Sequence, residues 1–157
     1  MILYNYDYER NNLLCGICKI KYGAWLTTKL KDKTILFANT AKQLELVNFP
    51  CVHTKIKNSS EILNSFIEDD FKTLGAIGTL NEGVTIPNLK NAIVLHSFSN
   101  PTKFKQRLGR LLRLNPDDHA HIHVLCYKNT KDEEWVRNAL KEYKDSKIKY
   151  YDLNIKL

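Results

Sequence analysis

The sequence lacks the features that would place the chain in a membrane or outside the cell. No apolar run approaches the roughly 18 residues that a membrane-spanning helix needs. Residues 1–7 contain no basic segment followed by a long apolar stretch, so no signal peptide is predicted. The four cysteines are too few and too scattered for the disulfide framework of a small secreted domain. These absences predict a cytoplasmic protein, or one of the host cytoplasm if it is viral, with no membrane partner.

Metal-binding residues are present, but their spacing does not predict a metal site. Cys15 and Cys18 form a single C-x-x-C pair, whereas a zinc site needs a second pair or histidines at a matching distance. His119, His121 and His123 alternate on a predicted strand and would point the same way. No carboxylate or helical histidine accompanies them at a recognised spacing. We therefore predict no metal site. The cysteines are expected to be buried and reduced, and the histidines to lie on the less buried face of an edge strand.

Acidic residues are also missing from residues 83–116, where the chain carries six lysines and arginines. The net charge of the whole chain is +7. A basic segment of this kind favours an anionic partner, either a nucleotide or a nucleic acid. The charge alone does not choose between the two.

Length and pattern predict one α/β domain. The chain has 157 residues, of which 43% are hydrophobic and 26% charged, as in ordinary globular domains. Short apolar segments, typical of buried strands, alternate with helical patterns. Strands are predicted at 33–38, 51–53, 73–78, 91–96 and 120–126, and helices at about 11–29, at 41–47, from 59 or 60, from 101 and from 130. Gly16 and Gly23 leave the continuity of the first helix in question. Residues 39–40 suit the N-cap of the helix at 41–47, and Thr130 and Glu133 have the spacing of a capping box. This alternation predicts a mostly parallel sheet with helices on both faces.

The whole of residues 1–157 is predicted to be a single domain without linkers or repeats. Residues 1–32 would form a leading arm and helix, 33–143 the core, and 144–157 a terminal strand or tail. Within the arm, Tyr4, Tyr6 and Tyr8 alternate with polar residues, which fits either an edge strand or an irregular segment.

The most informative stretch is the predicted helix that begins after Asn100. Asn100 is a typical N-cap residue, and Pro101 suits the first helical position. One face of this helix is apolar, while the opposite face carries Gln106, Arg110 and Arg113. A guanidinium group can donate two parallel hydrogen bonds to phosphate oxygens and stays charged, so this face suits a polyphosphate. The alternative is the ordinary solvated basic face of an amphipathic helix.

Three segments resemble motifs of superfamily 2 helicases and translocases. Residues 106–113, Gln-Arg-Leu-Gly-Arg-Leu-Leu-Arg, resemble motif VI, Q-R-x-G-R-x-x-R. Residues 78–87, Gly-Thr-Leu-Asn-Glu-Gly-Val-Thr-Ile-Pro, resemble motif V, and residues 34–40, Thr-Ile-Leu-Phe-Ala-Asn-Thr, resemble motif IV. The three occur in the family's order, and the resemblance covers about residues 33–140. The chain is thus similar to the C-terminal RecA-like domain of such a helicase, a P-loop NTPase-like fold without a P-loop.

This resemblance implies roles for individual residues. Arg110 and Arg113 would be arginine fingers that reach the γ-phosphate of ATP, with Gln106 beside them. Gly83 and Glu82 would lie near the nucleotide. Contacts to the sugar-phosphate backbone of DNA or RNA would come from Asn39, Thr54, Lys55 and Thr79.

The sequence departs from the family in lacking both G-x-x-x-x-G-K-[ST] and D-E-x-D or D-E-x-H. Those motifs hold the phosphates and Mg²⁺. The resemblance therefore implies ATP with Mg²⁺ shared with a P-loop-bearing first RecA-like domain, in the same polypeptide or in a separate chain. Alone, the chain is not expected to hydrolyse ATP.

Three origins fit this departure: a fragment of a longer helicase, one half of a helicase encoded as two polypeptides, or a free-standing domain with a changed role. The start at Met1 favours a separate gene product. The alternative function is a non-catalytic module that binds nucleic acid or a protein and has kept the helicase fold.

Overall fold

The computed structural model describes residues 2–7, 17–77, 85–95, 119–141, 143–144 and 147–153. Seven strands lie within these ranges: β1 (Ile2–Asp7), β2 (Thr34–Ala38), β3 (Cys51–Val52), β4 (Thr73–Ile77), β5 (Asn91–Val94), β6 (His121–Lys128) and β7 (Lys149–Leu153). The helices of the same ranges are α1 (Ile17–Lys29), α2 (Ala41–Leu44), α3 (Ser59–Ile67) and α4 (Lys131–Leu140).

The strands form one sheet in the order β3-β4-β2-β5-β6-β1-β7. Every pair of neighbouring strands is parallel. β2 lies inside the sheet, between β4 and β5, and all five of its residues are buried. A continuously apolar strand of this kind is expected where helices cover both faces of a parallel sheet.

Helices do cover both faces. On the first face, α1 and α2 bury Ile20, Leu26 and Leu44 against side chains of β2, β5 and β6. On the second face, α3 and α4 bury Phe66 and Val136 against the alternate side chains of the same sheet. The predicted α/β class, with a parallel sheet between two helical layers, is confirmed.

Gly23 allows α1 to approach the sheet closely. A Cβ atom at this position would lie 2.8 Å from Leu95 Cδ2 and 3.0 Å from Leu36 Cδ1. The sequence left the continuity of this helix in question because of its glycines. In the structure Gly23 lies inside α1 and supplies the space that the leucines of β2 and the end of β5 occupy.

Two predictions about sheet edges are wrong. The arm that contains Tyr4 and Tyr6 forms β1, which lies between β6 and β7 and is not an edge strand. The strand that carries the histidines is β6, which lies between β5 and β1, and His123 is buried. Both errors have one cause, because strand order depends on long-range pairing that a local pattern does not report.

The predicted start of α4 is correct in position but differs in detail. Thr130 is the N-cap, and its Oγ1 accepts a hydrogen bond from the Asp132 N–H. The Glu133 carboxylate, predicted to close a capping box on Thr130, instead accepts from the Asn129 N–H at 2.7 Å. A full capping box occurs at α2, between Thr40 and Gln43.

Candidate nucleic-acid interface

The predicted contact residues that the structure describes lie at the carboxyl edge of the sheet. Because all strands are parallel, their carboxyl ends meet at one edge, where ligands of open α/β sheets bind. The register pairs Ala38 at the end of β2 with Ile77 at the end of β4. It also pairs Val52 at the end of β3 with Ala76. The segments that leave β2, β3 and β4 therefore emerge side by side.

Asn39 follows β2 directly and is exposed at this edge. The side chain of Gln43 holds the turn, because its Oε1 accepts from the Asn39 N–H at 2.8 Å and from the Thr40 N–H at 3.3 Å. In return, Thr40 Oγ1 accepts from the Gln43 N–H. Our sequence reasoning missed Gln43, although the spacing T-x-x-Q is that of a capping box and could have identified it. The result is a fixed loop that presents Asn39 to solvent.

Thr54 and Lys55 are exposed in the turn between β3 and α3. The turn is built around His53, whose carbonyl oxygen accepts from the Ile56 N–H and from Ser59 Oγ, both at 3.0 Å. The His53 Nδ1 accepts from the Lys55 N–H at 3.3 Å. Thus backbone and imidazole contacts hold the turn, and the side chains of Thr54 and Lys55 remain available for contact.

The other predicted site residues lie outside the described residues: Gln106, Arg110, Arg113, Thr79, Glu82 and Gly83. The described elements that precede and follow these residues are as follows. β4 ends at Ile77, directly before residues 78–84, and the described stretch that follows buries Ile86 and Leu89 in the core. The segment with the two arginines follows β5 and Leu95, whose N–H donates to the Phe37 carbonyl of β2.

A buried ion pair lies near the carboxyl end of β6. The Lys19 ammonium of α1 bonds Asp132 Oδ2 at the start of α4, and both side chains are largely buried. The same Oδ2 accepts from the Tyr127 N–H at 3.0 Å, and the ammonium lies 4.6 Å from the centre of the Tyr127 ring. This contact joins helices on opposite faces of the sheet. The two charged residues are far apart in sequence, and no local signal indicated that they would meet.

Among the residues described, no three His, Cys, Asp or Glu side chains are grouped to hold a metal ion. His121 and His123 do share a face, with ring centres 6.3 Å apart. Burial, and then the neighbouring His121, lowers the pKa of His123 to about 4. Burial likewise raises the pKa of the Cys51 thiol to about 11 and that of Cys126 to about 12, so neither is a reactive thiolate at neutral pH.

Of the helices in the described ranges, none combines the length and the apolar character that crossing a membrane requires.

Comparison with known proteins identifies the family. Residues 10–115 match the family described as "Helicase conserved C-terminal domain". This chain belongs to that family. It is the second RecA-like domain of a superfamily 2 helicase, as the motif-like segments predicted, and the matched range contains all of them.

A relative with a described activity is similar to part of this domain. It is the DNA 3'-5' translocase XPB2 of Sulfurisphaera tokodaii, which is 35% identical over 72 residues. Those residues make up 46% of this chain and 16% of the translocase. The chain thus corresponds to a small part of that relative.

Solved structures agree on the fold. S. cerevisiae Dbp5 bound to RNA and ADP BeF3 superposes with a TM-score of 0.74 at 14% identity, over 97% of this chain and 41% of that one. The C-terminal domain of the DEAD-box protein Dbp5 gives 0.66 at 16% identity, over 96% and 88%. Mss116p DEAD-box helicase domain 2 bound to an RNA duplex gives 0.70 at 15% identity, over 99% and 64%. At these identities the likeness shows the fold alone.

Proposed function

We propose that this domain is the second half of an ATP-dependent superfamily 2 helicase or translocase. It would supply arginine fingers and part of the nucleic-acid groove, and it would need a P-loop-bearing first RecA-like domain to hydrolyse ATP. The match of residues 10–115 to the helicase C-terminal domain carries the proposal. The sequence lacks G-x-x-x-x-G-K-[ST], which is why ATP hydrolysis is assigned to the pair of domains rather than to this chain.

In this proposal Arg110 and Arg113 contact the γ-phosphate in trans, with Gln106 beside them. Gly83 and Glu82 lie at the nucleotide. Bound Mg²⁺ would neutralise charge on the β- and γ-phosphates, and the first domain would hold it. The residues of this chain would stabilise the charge that spreads over the transferring phosphoryl group, an effect of about 10³–10⁵ in rate where arginine fingers have been dissected.

The nucleic-acid groove is proposed to include Asn39, Thr54, Lys55 and Thr79. In support, the first three are exposed at neighbouring positions of the carboxyl edge, in turns held by Gln43 and His53. A lysine, an amide and a hydroxyl contact phosphate and sugar oxygens without reading base edges. Binding should therefore be independent of sequence and weaken steeply with salt.

The ATPase activity of a two-domain assembly tests the proposal. We expect the chain alone to be inactive and to support hydrolysis when combined with, or fused to, a first RecA-like domain that carries G-x-x-x-x-G-K-[ST]. Arg110→Ala or Arg113→Ala should then lower kcat by about 10³ or more. Arg137→Ala is the matched control, because Arg137 pairs with Glu133 on α4. If both finger variants keep full activity, their assignment is wrong.

A non-catalytic nucleic-acid module is the second candidate, favoured by the missing phosphate-binding motif. It predicts that the isolated chain binds a single-stranded oligonucleotide equally well with and without a first domain and a non-hydrolysable nucleotide. The helicase proposal predicts tighter binding when both are present. A titration under the two conditions separates the candidates.

A further inference from the structure

An exposed row of side chains runs along α1 on the outside of the first sheet face. Among residues 19–29 of this helix, the exposed residues are Lys21, Trp25, Thr28 and Lys29. Their spacing of four, three and one places them on one side of the helix. Trp25 is 50% exposed, which is unusual for so large an aromatic side chain. We call Lys21, Trp25 and Lys29 the α1 row.

Two neighbouring side chains of α1 contact the indole. The rings of Tyr22 and Trp25 have centres 5.1 Å apart and are inclined by 37°. The Lys29 ammonium lies 5.6 Å from the centre of the indole. These contacts restrict the side chain before any partner arrives, which lowers the entropy cost of binding. The row is thus an ordered apolar surface with a positive charge at each end.

Trp25 and Lys29 lie toward the edge of the sheet opposite to the described residues of the proposed nucleic-acid groove. Because Lys29 ends α1 shortly before β2 begins at Thr34, the end of the helix lies at the amino edge of the sheet. Trp25 is four residues, or about 6 Å, from that end. Asn39 and Lys55 lie at the opposite, carboxyl edge. A first RecA-like domain that closes on the carboxyl edge would not need this surface.

The charges on α1 are unevenly compensated. The sequence of α1 contains no Asp or Glu. Asp132 neutralises Lys19, which is buried. Within the described ranges, in contrast, no carboxylate pairs with Lys21 or Lys29. Two lysines, one turn before and one turn after Trp25, therefore have no carboxylate partner among the residues that the structure describes.

We infer that the α1 row binds an acidic peptide segment of a partner protein. An apolar side chain of the segment would pack on Trp25, and carboxylates one helical turn to either side would pair with Lys21 and Lys29. A nucleic-acid base is a poorer occupant, because the Lys29 ammonium already covers part of the indole on which it would stack. Tryptophan is among the residues enriched in binding hot spots.

Fluorine NMR of protein labelled with 5-fluorotryptophan tests the inference. The sequence has two tryptophans, so Trp135 on α4 serves as an internal reference. The probe is a short amphipathic peptide with glutamate on one face and leucine and phenylalanine on the other. We expect it to shift the Trp25 signal and leave the Trp135 signal unchanged. Replacement of its glutamates by lysine should abolish the shift.

The affinity of protein variants for the same peptide, now carrying a fluorescent label, is measured by fluorescence anisotropy. Trp25→Ala should weaken binding by about 30-fold, the loss of a hot-spot side chain. Lys21→Glu and Lys29→Glu should each weaken it by up to about fivefold. Lys141→Glu, an exposed lysine just after α4 on the second face, should have no effect.

Three results would overturn the inference. The first is a Trp25 signal that does not respond to the acidic peptide. The second is a response to single-stranded DNA or RNA in place of the peptide. The third is self-association of the chain that Trp25→Ala abolishes in sedimentation, since a second copy would then cover the row. The ATPase of the two-domain assembly should be unchanged by Trp25→Ala, so failure here leaves the proposed function intact.

Discussion

The Nζ atom of Lys33 lies 2.7 Å from Asp69 Oδ1, although the lysine side chain is 3% exposed and the aspartate side chain 56%. The same ammonium donates to the carbonyl oxygen of Ile67, the last residue of α3, at 3.2 Å. It also lies 5.2 Å from the centre of the Phe66 ring. The last turn of α3 has no basic residue of its own. Lys33, which precedes β2, therefore supplies the positive charge that stabilises a helix C-terminus.

We predict that Lys33→Met lowers the free energy of unfolding by about 2 kcal/mol, because it leaves the partly buried Ile67 carbonyl without this charged donor. Asp69→Asn should cost less than about 1 kcal/mol, since that side chain is largely solvated. Urea unfolding of both variants provides the measurement. Equal losses would mean that the ion pair, rather than the helix-end contact, is the important interaction.

His123 should make the domain less stable in mild acid. Burial and then His121 lower the pKa of His123 to about 4 in the folded chain, against about 6.5 for an unfolded histidine. The unfolded state therefore takes up the proton first, and this contribution to stability is complete above pH 6.5 and is lost as the pH falls towards 4. Linkage predicts a loss on the order of 2 kcal/mol between pH 7 and pH 5.

The control for this prediction is a variant that does not titrate. His123→Gln should remove most of the pH dependence between pH 7 and pH 5, whatever its effect on stability at pH 7. His119→Gln, at an exposed position before β6, should keep it. Urea unfolding at several pH values compares the three proteins. If the free energy of unfolding of His123→Gln falls with pH as steeply as that of the unsubstituted protein, other groups cause the acid sensitivity.

Gly75 and Cys51 should be energetically coupled. A Cβ atom at Gly75 would lie 2.6 Å from Cys51 Sγ, 2.9 Å from Leu44 Cδ2 and 3.3 Å from Phe49 Cε2. Gly75→Ala should therefore destabilise the domain by about 1–3 kcal/mol through overpacking. In the double variant with Cys51→Ala the penalty should be smaller, because the nearest atom has gone. A double-mutant cycle measures this difference, and strict additivity would contradict it.

Lys55 should contribute one phosphate contact to nucleic-acid binding. Lys55→Ala is expected to weaken binding of a single-stranded oligonucleotide equally for different sequences. It should also reduce the steepness of log K against log salt by about 0.7, the effect of one phosphate contact fewer on a single strand. Lys141→Ala is the matched control, since it removes an exposed lysine at the amino edge. Fluorescence anisotropy at several salt concentrations distinguishes this from a loss of fold, which would abolish binding altogether.

The sequence by itself determined the features that depend on neighbours along the chain. The apolar run at residues 34–38 indicated a buried strand. The N-cap residues before residue 41 indicated α2, and the N-cap residue Thr130 indicated α4. Burial patterns and helix caps can be predicted because both depend on residues that are close in sequence. The family followed from three short segments in order. Asn39, Thr54 and Lys55 were named from that resemblance, and the parallel sheet explains why they share an edge.

Only the tertiary structure decided the relationships across the sheet. The sequence did not show that β1 lies between β6 and β7, that Lys19 meets Asp132, or that Lys33 reaches the end of α3. Each of these contacts joins residues that are remote in sequence, and each exists because the strand order brings particular ends together. A buried lysine or histidine looks polar and exposed in a local pattern. Its environment is set by the helices that the sheet places above it.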